Sequence, residues 1–101
     1  MNSLKGKHIL IAGGAGYLGE PLCQALATQG AKICIADTDQ TRCAQVANAI
    51  QAVTPNANVM ALNFDIGNEA SIVDGISACV QKFGGLDGVV NATSGASGKE
   101  I

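Results

Sequence analysis

The sequence has few aromatic residues, little charge and no long apolar run. Its 101 residues include no tryptophan, one tyrosine and two phenylalanines, and only 14% of them are charged. A core must therefore be built from Ala, Val, Ile and Leu, which is typical of a parallel sheet covered by helices. No apolar run approaches the ~20 residues of a membrane span, and no signal-peptide cleavage pattern follows the first apolar run, so we expect a cytoplasmic location.

Basic clusters and metal-binding patterns are also lacking. Six Lys and Arg against eight Asp and Glu give a net charge of −2, and the scattered cations form no stripe suited to a phosphate backbone. The lone His8 and four irregularly spaced cysteines include no C-x-x-C pair. We therefore predict no nucleic acid, membrane, metal or disulfide, and interpret the cysteines as small buried hydrophobes: Cys23, Cys34, Cys43 and Cys79.

Strand and helix patterns alternate along the whole chain. Short apolar runs predict strands at 7–13, 31–37, 58–65 and 86–92. Apolar residues at three- and four-residue spacing predict helices at 17–30, 40–54 and 69–84. The spacing places Leu18 on one side of the first helix with Leu22, Cys23 and Leu26. Asn68 is expected to cap the third helix, on which one face carries Ile72, Ile76, Cys79, Val80 and Phe83. We therefore predict an α/β fold, the first half of a doubly wound Rossmann-type parallel sheet, with strand order 3-2-1-4 and helices on both faces. Residues 1–101 are expected to form one domain, with residues 93–101 as a flexible polar tail.

The turn between the first strand and the first helix carries few side chains. Gly13, Gly16 and Gly19 form a G-x-x-G-x-x-G pattern where the helix begins, and its free N–H groups and dipole favour a pyrophosphate. Gly13 would permit the tight turn, Gly14 or Gly16 would let the backbone approach the anion, and Gly19 would let helix and strand pack together. Taken alone, this glycine pattern is weak evidence for a phosphate-binding site, because many such matches are ordinary turns.

Acidic residues follow the neighbouring strands. Asp37 ends the second strand 24 residues after Gly13, where a carboxylate can accept hydrogen bonds from both ribose hydroxyls of an adenosine. Its charge would repel a 2′-phosphate, and no cation follows before Arg42, so the sequence favours NAD over NADP. The alternative role of Asp37 is a helix cap. At the same sheet edge, Asp65 and Ile66 could contact the adenine, or Asp65 could be a turn residue.

Asn91 ends the fourth strand at the point where the strand order reverses. It would either hydrogen-bond the loop backbone and hold the nicotinamide ribose side of the site, or only end the strand.

Four stretches together resemble the amino-terminal part of the short-chain dehydrogenase/reductase family. They are "AGGAGYLG", "ICIAD", "NFDIGN" and "FGGLDGVVNATSG", and the resemblance covers practically the whole chain. It implies an oxidoreductase that uses NAD to transfer hydride to or from an alcohol or carbonyl substrate. The cofactor-binding residues are then predicted to be Gly13, Gly14, Gly16, Tyr17, Leu18, Gly19, Asp37, Asp65, Ile66, Asn91 and Ala92.

The resemblance is incomplete in two respects. Ala12 and Ala92 stand where the family usually has Thr and Asn, which leaves the subfamily open. Catalysis in the family needs a Ser, a Tyr and a Lys four residues after the Tyr, whereas Tyr17 is followed at that distance by Pro21. We therefore predict no catalytic residue in this chain, which we expect to be inactive alone and part of a longer oxidoreductase.

Two other functions are compatible with the glycine loop. A non-catalytic NAD-binding regulatory domain shares the loop and the acid, and a methyltransferase has a similar ribose acid with a different glycine spacing. The stretch "FGGLDGVVNATSG" favours the oxidoreductase. Because the apolar fourth strand is suited to burial on both sides, we predict that the isolated chain is marginally stable or self-associates through this edge. A monodisperse monomer with a high melting temperature would count against this prediction.

Overall fold

A computed structural model describes residues 4–93, in which four parallel strands form one sheet. The strand order β3-β2-β1-β4 confirms the predicted 3-2-1-4 topology. The predicted tail lies outside the described residues, apart from Thr93. The elements, in chain order, are β1 (His8–Ala12), α1 (Gly19–Thr28), β2 (Lys32–Asp37), α2 (Gln40–Val53), β3 (Val59–Asn63), α3 (Glu69–Phe83) and β4 (Gly88–Asn91).

The two central strands are apolar between their polar end residues because helices cover both faces of the sheet. Ile9 and Ile11 of β1 pack into the cluster that α1 and α2 complete, whereas Leu10 packs into the cluster on the side of α3. In β2, Ile33 and Ile35 are in register with Ile9 and Ile11 and join the same cluster. Burial on both faces explains why these strands appear in the sequence as continuous apolar runs.

The helices differ in how their first turns are capped. Asp39 caps α2 by accepting a hydrogen bond from the amide of Arg42, and Asn68 caps α3 by accepting one from the amide of Ser71. Leu18, at the same position of α1, makes no side-chain cap. The prediction that Leu18 lies on the buried stripe of α1 is wrong: it precedes the helix and is 59% exposed.

The apolar face of α3 is narrower than its sequence pattern indicates. Ile72, Ile76, Cys79 and Phe83 pack between α3 and the sheet, as predicted. Val80 is instead 40% exposed, because it lies beside this stripe rather than on it. All four cysteines are free and buried, which confirms their interpretation as small core hydrophobes.

The outer edge of β4 is open in the described part of the chain. Within residues 4–93, β4 pairs with β1 alone, and Val89 is 55% exposed. No helix in this range is long and apolar enough to cross a membrane.

Candidate functional site

The carboxyl ends of the strands open onto a cavity of about 340 Å³. Ligand pockets commonly measure roughly 300–1,000 Å³. In open α/β sheets, ligands bind at this end of the strands, near the point where the strand order reverses, which here is the junction of β1 and β4. The lining residues follow all four strands: Gly13, Gly16, Tyr17, Asp37, Thr38, Phe64, Asp65, Ile66, Ala92 and Thr93.

Most of the predicted cofactor-binding residues line this cavity. They are Gly13, Gly16, Tyr17, Asp37, Asp65, Ile66 and Ala92. The remaining four lie outside the lining: two are buried by packing, one is exposed to solvent, and one bonds the turn after β4. They are Gly14, Leu18, Gly19 and Asn91.

Close backbone packing requires glycine at two positions of the loop. A Cβ on Gly19 would lie 2.1 Å from the carbonyl oxygen of Gly13, so a side chain there would prevent α1 from packing on the loop. A Cβ on Gly13 would lie 2.8 Å from the amide nitrogen of Thr93, and Gly13 has a φ of 76°. Gly13 therefore makes the tight turn and also admits the loop that follows β4.

The two glycines proposed for close approach to an anion have different surroundings. Gly14 is buried, and a Cβ on it would lie 3.0 Å from Cγ2 of Ile35 and 3.3 Å from Sγ of Cys23. Gly16 lines the cavity, and a Cβ on it would have its nearest contact, at 3.2 Å, with the carbonyl oxygen of Gly13. Of the two alternatives, only Gly16 lines the cavity.

Asp37 holds the glycine loop against β2. Its Oδ2 accepts a hydrogen bond from the amide of Ala15 at 3.2 Å, and its Oδ1 accepts one from the amide of Asp39 at 3.1 Å. The cap of α2 is Asp39 rather than Asp37. Because an ionised carboxylate offers about four acceptor positions, Asp37 retains acceptor capacity on both oxygens while it anchors the loop. The sequence gives no indication of this anchoring role.

Asp65 and Asn91 both stabilise turns at strand ends. Asp65 accepts a hydrogen bond from the amide of Gly67 at 2.9 Å, as expected of a turn residue. It also lines the cavity, and its contact with an adenine stays a prediction. Asn91 accepts a hydrogen bond from the amide of Thr93 at 3.0 Å. The side chain of Asn91 therefore bonds the loop backbone, as one of its two predicted roles requires, and its place beside the nicotinamide ribose stays a prediction.

Thr38, Phe64 and Thr93 line the cavity although they are absent from the predicted set. Each is the chain neighbour of a predicted residue, which is the only signal the sequence offers for them. Phe64 is 5% exposed and packs on α3 at Gly75, where a Cβ would lie 2.5 Å from Cδ1 of Phe64. A glycine at this helical position therefore makes room for the aromatic ring.

The mouth of the cavity is favourable for a negative charge at one place, the start of α1. The first N–H groups of a helix have no partner inside the helix and carry the positive end of its dipole. Here no side chain caps the helix, and Tyr17 makes no hydrogen bond within residues 4–93. The phenol ring of Tyr17 is 93% exposed, so the side chain does not block the loop.

Residues 7–101 match the family model for short chain dehydrogenase. Chanoclavine-I dehydrogenase of Aspergillus fumigatus is 29% identical over 99 residues, which cover 97% of this chain and 38% of that protein. Levodione reductase of Leifsonia aquatica is 30% identical over 92 residues, which cover 91% of this chain and 34% of that protein. The chain therefore spans little more than a third of the length of these relatives.

Solved structures show the same fold. A hydroxysteroid dehydrogenase from Escherichia coli superposes with a TM-score of 0.83 at 26% identity, over 89% of this chain and 37% of that one. A putative dehydrogenase from Burkholderia cenocepacia with bound NADP has a TM-score of 0.78 at 29% identity, over 90% and 35%. A 3-ketoacyl-(acyl-carrier-protein) reductase from Brucella melitensis complexed with NADH has a TM-score of 0.76 at 33% identity, over 86% and 34%. These comparisons do not support the alternative of a regulatory domain.

Proposed function

This chain belongs to the short-chain dehydrogenase family, and from that premise we propose that it is the part of an oxidoreductase that binds a nicotinamide dinucleotide. When bound, the dinucleotide supplies the hydride donor or acceptor for an alcohol or carbonyl substrate. We assign no catalytic residue to this chain, because its single tyrosine, Tyr17, lies in the glycine loop and is followed four residues later by Pro21 instead of a lysine.

The observation that carries this proposal is the open start of α1 beside the cavity. Gly16 and Tyr17 line the cavity, Tyr17 makes no hydrogen bond within the described residues, and α1 is the helix without a side-chain cap. Unpaired amides at a helix start form a suitable site for a pyrophosphate. The amide of Gly16 already donates to the carbonyl oxygen of Gly13 at 3.0 Å, so the free amide of Tyr17 would hold the pyrophosphate, and Gly16 would leave room for it beside the loop.

Asp37 is suited to hold the adenosine ribose. Its two oxygens already accept from the amides of Ala15 and Asp39, and the acceptor capacity that remains matches two ribose hydroxyls. Asp65 and Ile66, on the far side of the cavity, would flank the adenine. We place Asn91 and Ala92 on the nicotinamide side because they follow β4 at the switch point.

The charges around the cavity support NAD rather than NADP. Asp37 and Asp65 line it, and Glu20 and Glu69 lie in the first turns of α1 and α3, which start at the same end of the sheet. Arg42 in the first turn of α2 is paired with Glu20. A 2′-phosphate would add negative charge to an acidic region. The lysines of the described residues lie at the amino ends of the strands or in the last turn of α3: Lys5, Lys7, Lys32 and Lys82.

Titration calorimetry of the full chain with NAD and NADP tests this proposal. We expect NAD to bind at millimolar concentrations or below and more tightly than NADP. Replacing Asp37 by alanine should weaken both cofactors, because the amide of Ala15 loses its acceptor, but it should weaken NAD more, because only NAD has a free 2′-hydroxyl for the carboxylate. One lost hydrogen bond to a charged group corresponds to roughly tenfold or more in Kd.

A matched control removes a carboxylate far from the cavity. Asp74 is exposed on α3 and outside the cavity lining, so Asp74→Ala should leave both affinities unchanged. If neither cofactor binds the wild-type chain, the proposed function is wrong. If Asp37→Ala weakens NAD and NADP equally, Asp37 does not hold the ribose.

The open edge of β4 gives a further expectation. This chain covers 38% and 34% of the two relatives, and within residues 4–93 the strand β4 pairs with β1 alone. Unpaired strand edges favour pairing with another strand. We therefore expect this edge to be covered in the active protein, either by the rest of a longer chain or by self-association.

A further inference from the structure

An ion pair joins the two helices that start on either side of the proposed ribose site. Nη2 of Arg42, in the first turn of α2, contacts Oε1 of Glu20, in the first turn of α1, and both side chains are partly buried. Nη1 of Arg42 also lies 3.4 Å from Oε1 of Gln45. Because Asp39 already caps α2, the pair is not needed to start that helix, and its effect is on the relation between α1 and α2.

Both partners of this pair are connected by hydrogen bonds to residues of the cavity lining. The amide of Glu20 donates to the carbonyl oxygen of Gly16 at 3.1 Å. The amide of Arg42 donates to Oδ1 of Asp39, whose own amide donates to Oδ1 of Asp37. The ion pair is therefore connected both to the glycine loop and to Asp37, the last residue of β2 and the proposed partner of the ribose whose 2′-oxygen would carry the phosphate.

We propose that Glu20 determines cofactor specificity by holding the Arg42 guanidinium away from a 2′-phosphate. This inference rests on the proposed function and adds a second determinant to Asp37, which acts through its own charge. Glu20 acts through another side chain and does not contact the cofactor.

The physical basis is competition for one guanidinium. Arginine binds phosphate strongly because its planar group donates several hydrogen bonds and is permanently charged. Within residues 4–93, the other cations lie at the opposite end of the sheet or of α3, so Arg42 is the available partner for a 2′-phosphate. Paired with Glu20, it is neutralised. A phosphate must then break a partly exposed ion pair, which costs up to about fivefold in affinity.

The test measures, in variants of the full chain, the dissociation constant of NADP divided by that of NAD. Glu20→Gln keeps the size of the side chain and removes its charge, so it should lower this ratio about fivefold by releasing Arg42. Glu69→Gln is the matched control, because Glu69 also lies in the first turn of its helix and has no ion pair among the described residues. It should change the ratio less than twofold. The double variant E20Q/R42A should return the ratio to the wild-type value or above it.

Three results would overturn the inference while leaving the proposed function intact, provided that NAD still binds. They are an unchanged ratio in E20Q, an equal change in E20Q and E69Q, and a double variant that behaves as E20Q does. A fourth variant, Arg42→Ala alone, adds a fourth result that does not depend on how E20Q folds. Arg42→Ala should raise the ratio no more than about twofold, because the Arg42 guanidinium is already paired with Glu20. A fivefold rise would show that Arg42 binds the 2′-phosphate of NADP in the wild type, and it would overturn the inference.

Discussion

The replacement of Gly19 by alanine tests the close packing that shapes the glycine loop. The added Cβ would lie 2.1 Å from the carbonyl oxygen of Gly13 and 2.6 Å from Cα of Gly14. An ordinary contact begins at 3.4 Å, so the first distance is short by about 1.3 Å. Since both contact atoms belong to the backbone, no side chain can rotate away, and α1 or the loop must move.

The expected loss of folding free energy in Gly19→Ala is the difference between two opposing effects. Overpacking of this kind costs about 1–3 kcal/mol, whereas alanine in a helix is favoured over glycine by up to about 1 kcal/mol. We expect Gly19→Ala to reduce the free energy of unfolding by about 2 kcal/mol or less, a fall in Tm of roughly 10 °C. Cofactor binding should weaken as well, because Gly13 and Gly14 carry the loop that lines the cavity.

Thermal and urea unfolding, followed by circular dichroism, measure this effect. Gly88→Ala is the control, because a Cβ on Gly88 would meet nothing within 4 Å and its φ is not positive; it should leave Tm nearly unchanged. Gly16→Ala should lie between the two in stability, since its nearest contact is 3.2 Å. Equal stability of Gly19→Ala and Gly88→Ala would refute the packing argument.

Two further predictions concern the single tyrosine and the buried thiols. Because Tyr17 is the sole tyrosine and the chain has no tryptophan, NADH binding should quench the fluorescence of Tyr17. The Tyr17→Phe variant should lose this fluorescence but still bind NADH by calorimetry. Unchanged tyrosine emission at saturating NADH would contradict the place of Tyr17 at the cavity. Burial raises the pKa of the Cys23 thiol from 9.0 to about 12 and that of the Cys43 thiol from 9.0 to about 11. The folded protein therefore favours the protonated thiols. Their contribution to the free energy of unfolding is complete below pH 9 and is lost as the pH rises through these raised pKa values. Urea unfolding at pH 8, 9.5 and 11 should show the decline, and a Cys23→Ala/Cys43→Ala variant should show less of it.

Local patterns were sufficient to predict the elements and their order. Continuous apolar runs such as Ile9–Ile11 arise because both faces of the strand are buried, and this burial is visible in the sequence itself. Caps depend on neighbours three residues away, so Asn68 at the start of α3 was predicted correctly. The parallel arrangement then places every strand end at one edge, which is why Asp37 and Asp65 were expected to lie together.

Tertiary structure decided which of the neighbouring residues face the cavity. The sequence left Gly14 and Gly16 as alternatives for the close approach to an anion, and only the packing of Ile35 and Cys23 around Gly14 shows that Gly14 is buried. Leu18 was assigned to the buried stripe by its spacing, but the helix begins one residue later, and its side chain is exposed.

The sequence by itself determined the α/β architecture, the order of the strands and the edge of the sheet where a ligand would bind, because each follows from short-range patterns of apolar, capping and glycine residues. Only the tertiary structure decided that Asp37 anchors Ala15 and that Glu20 pairs with Arg42, since each pair is separated by 22 residues. Contacts between such distant positions depend on how the helices pack on the sheet, and no local pattern encodes them.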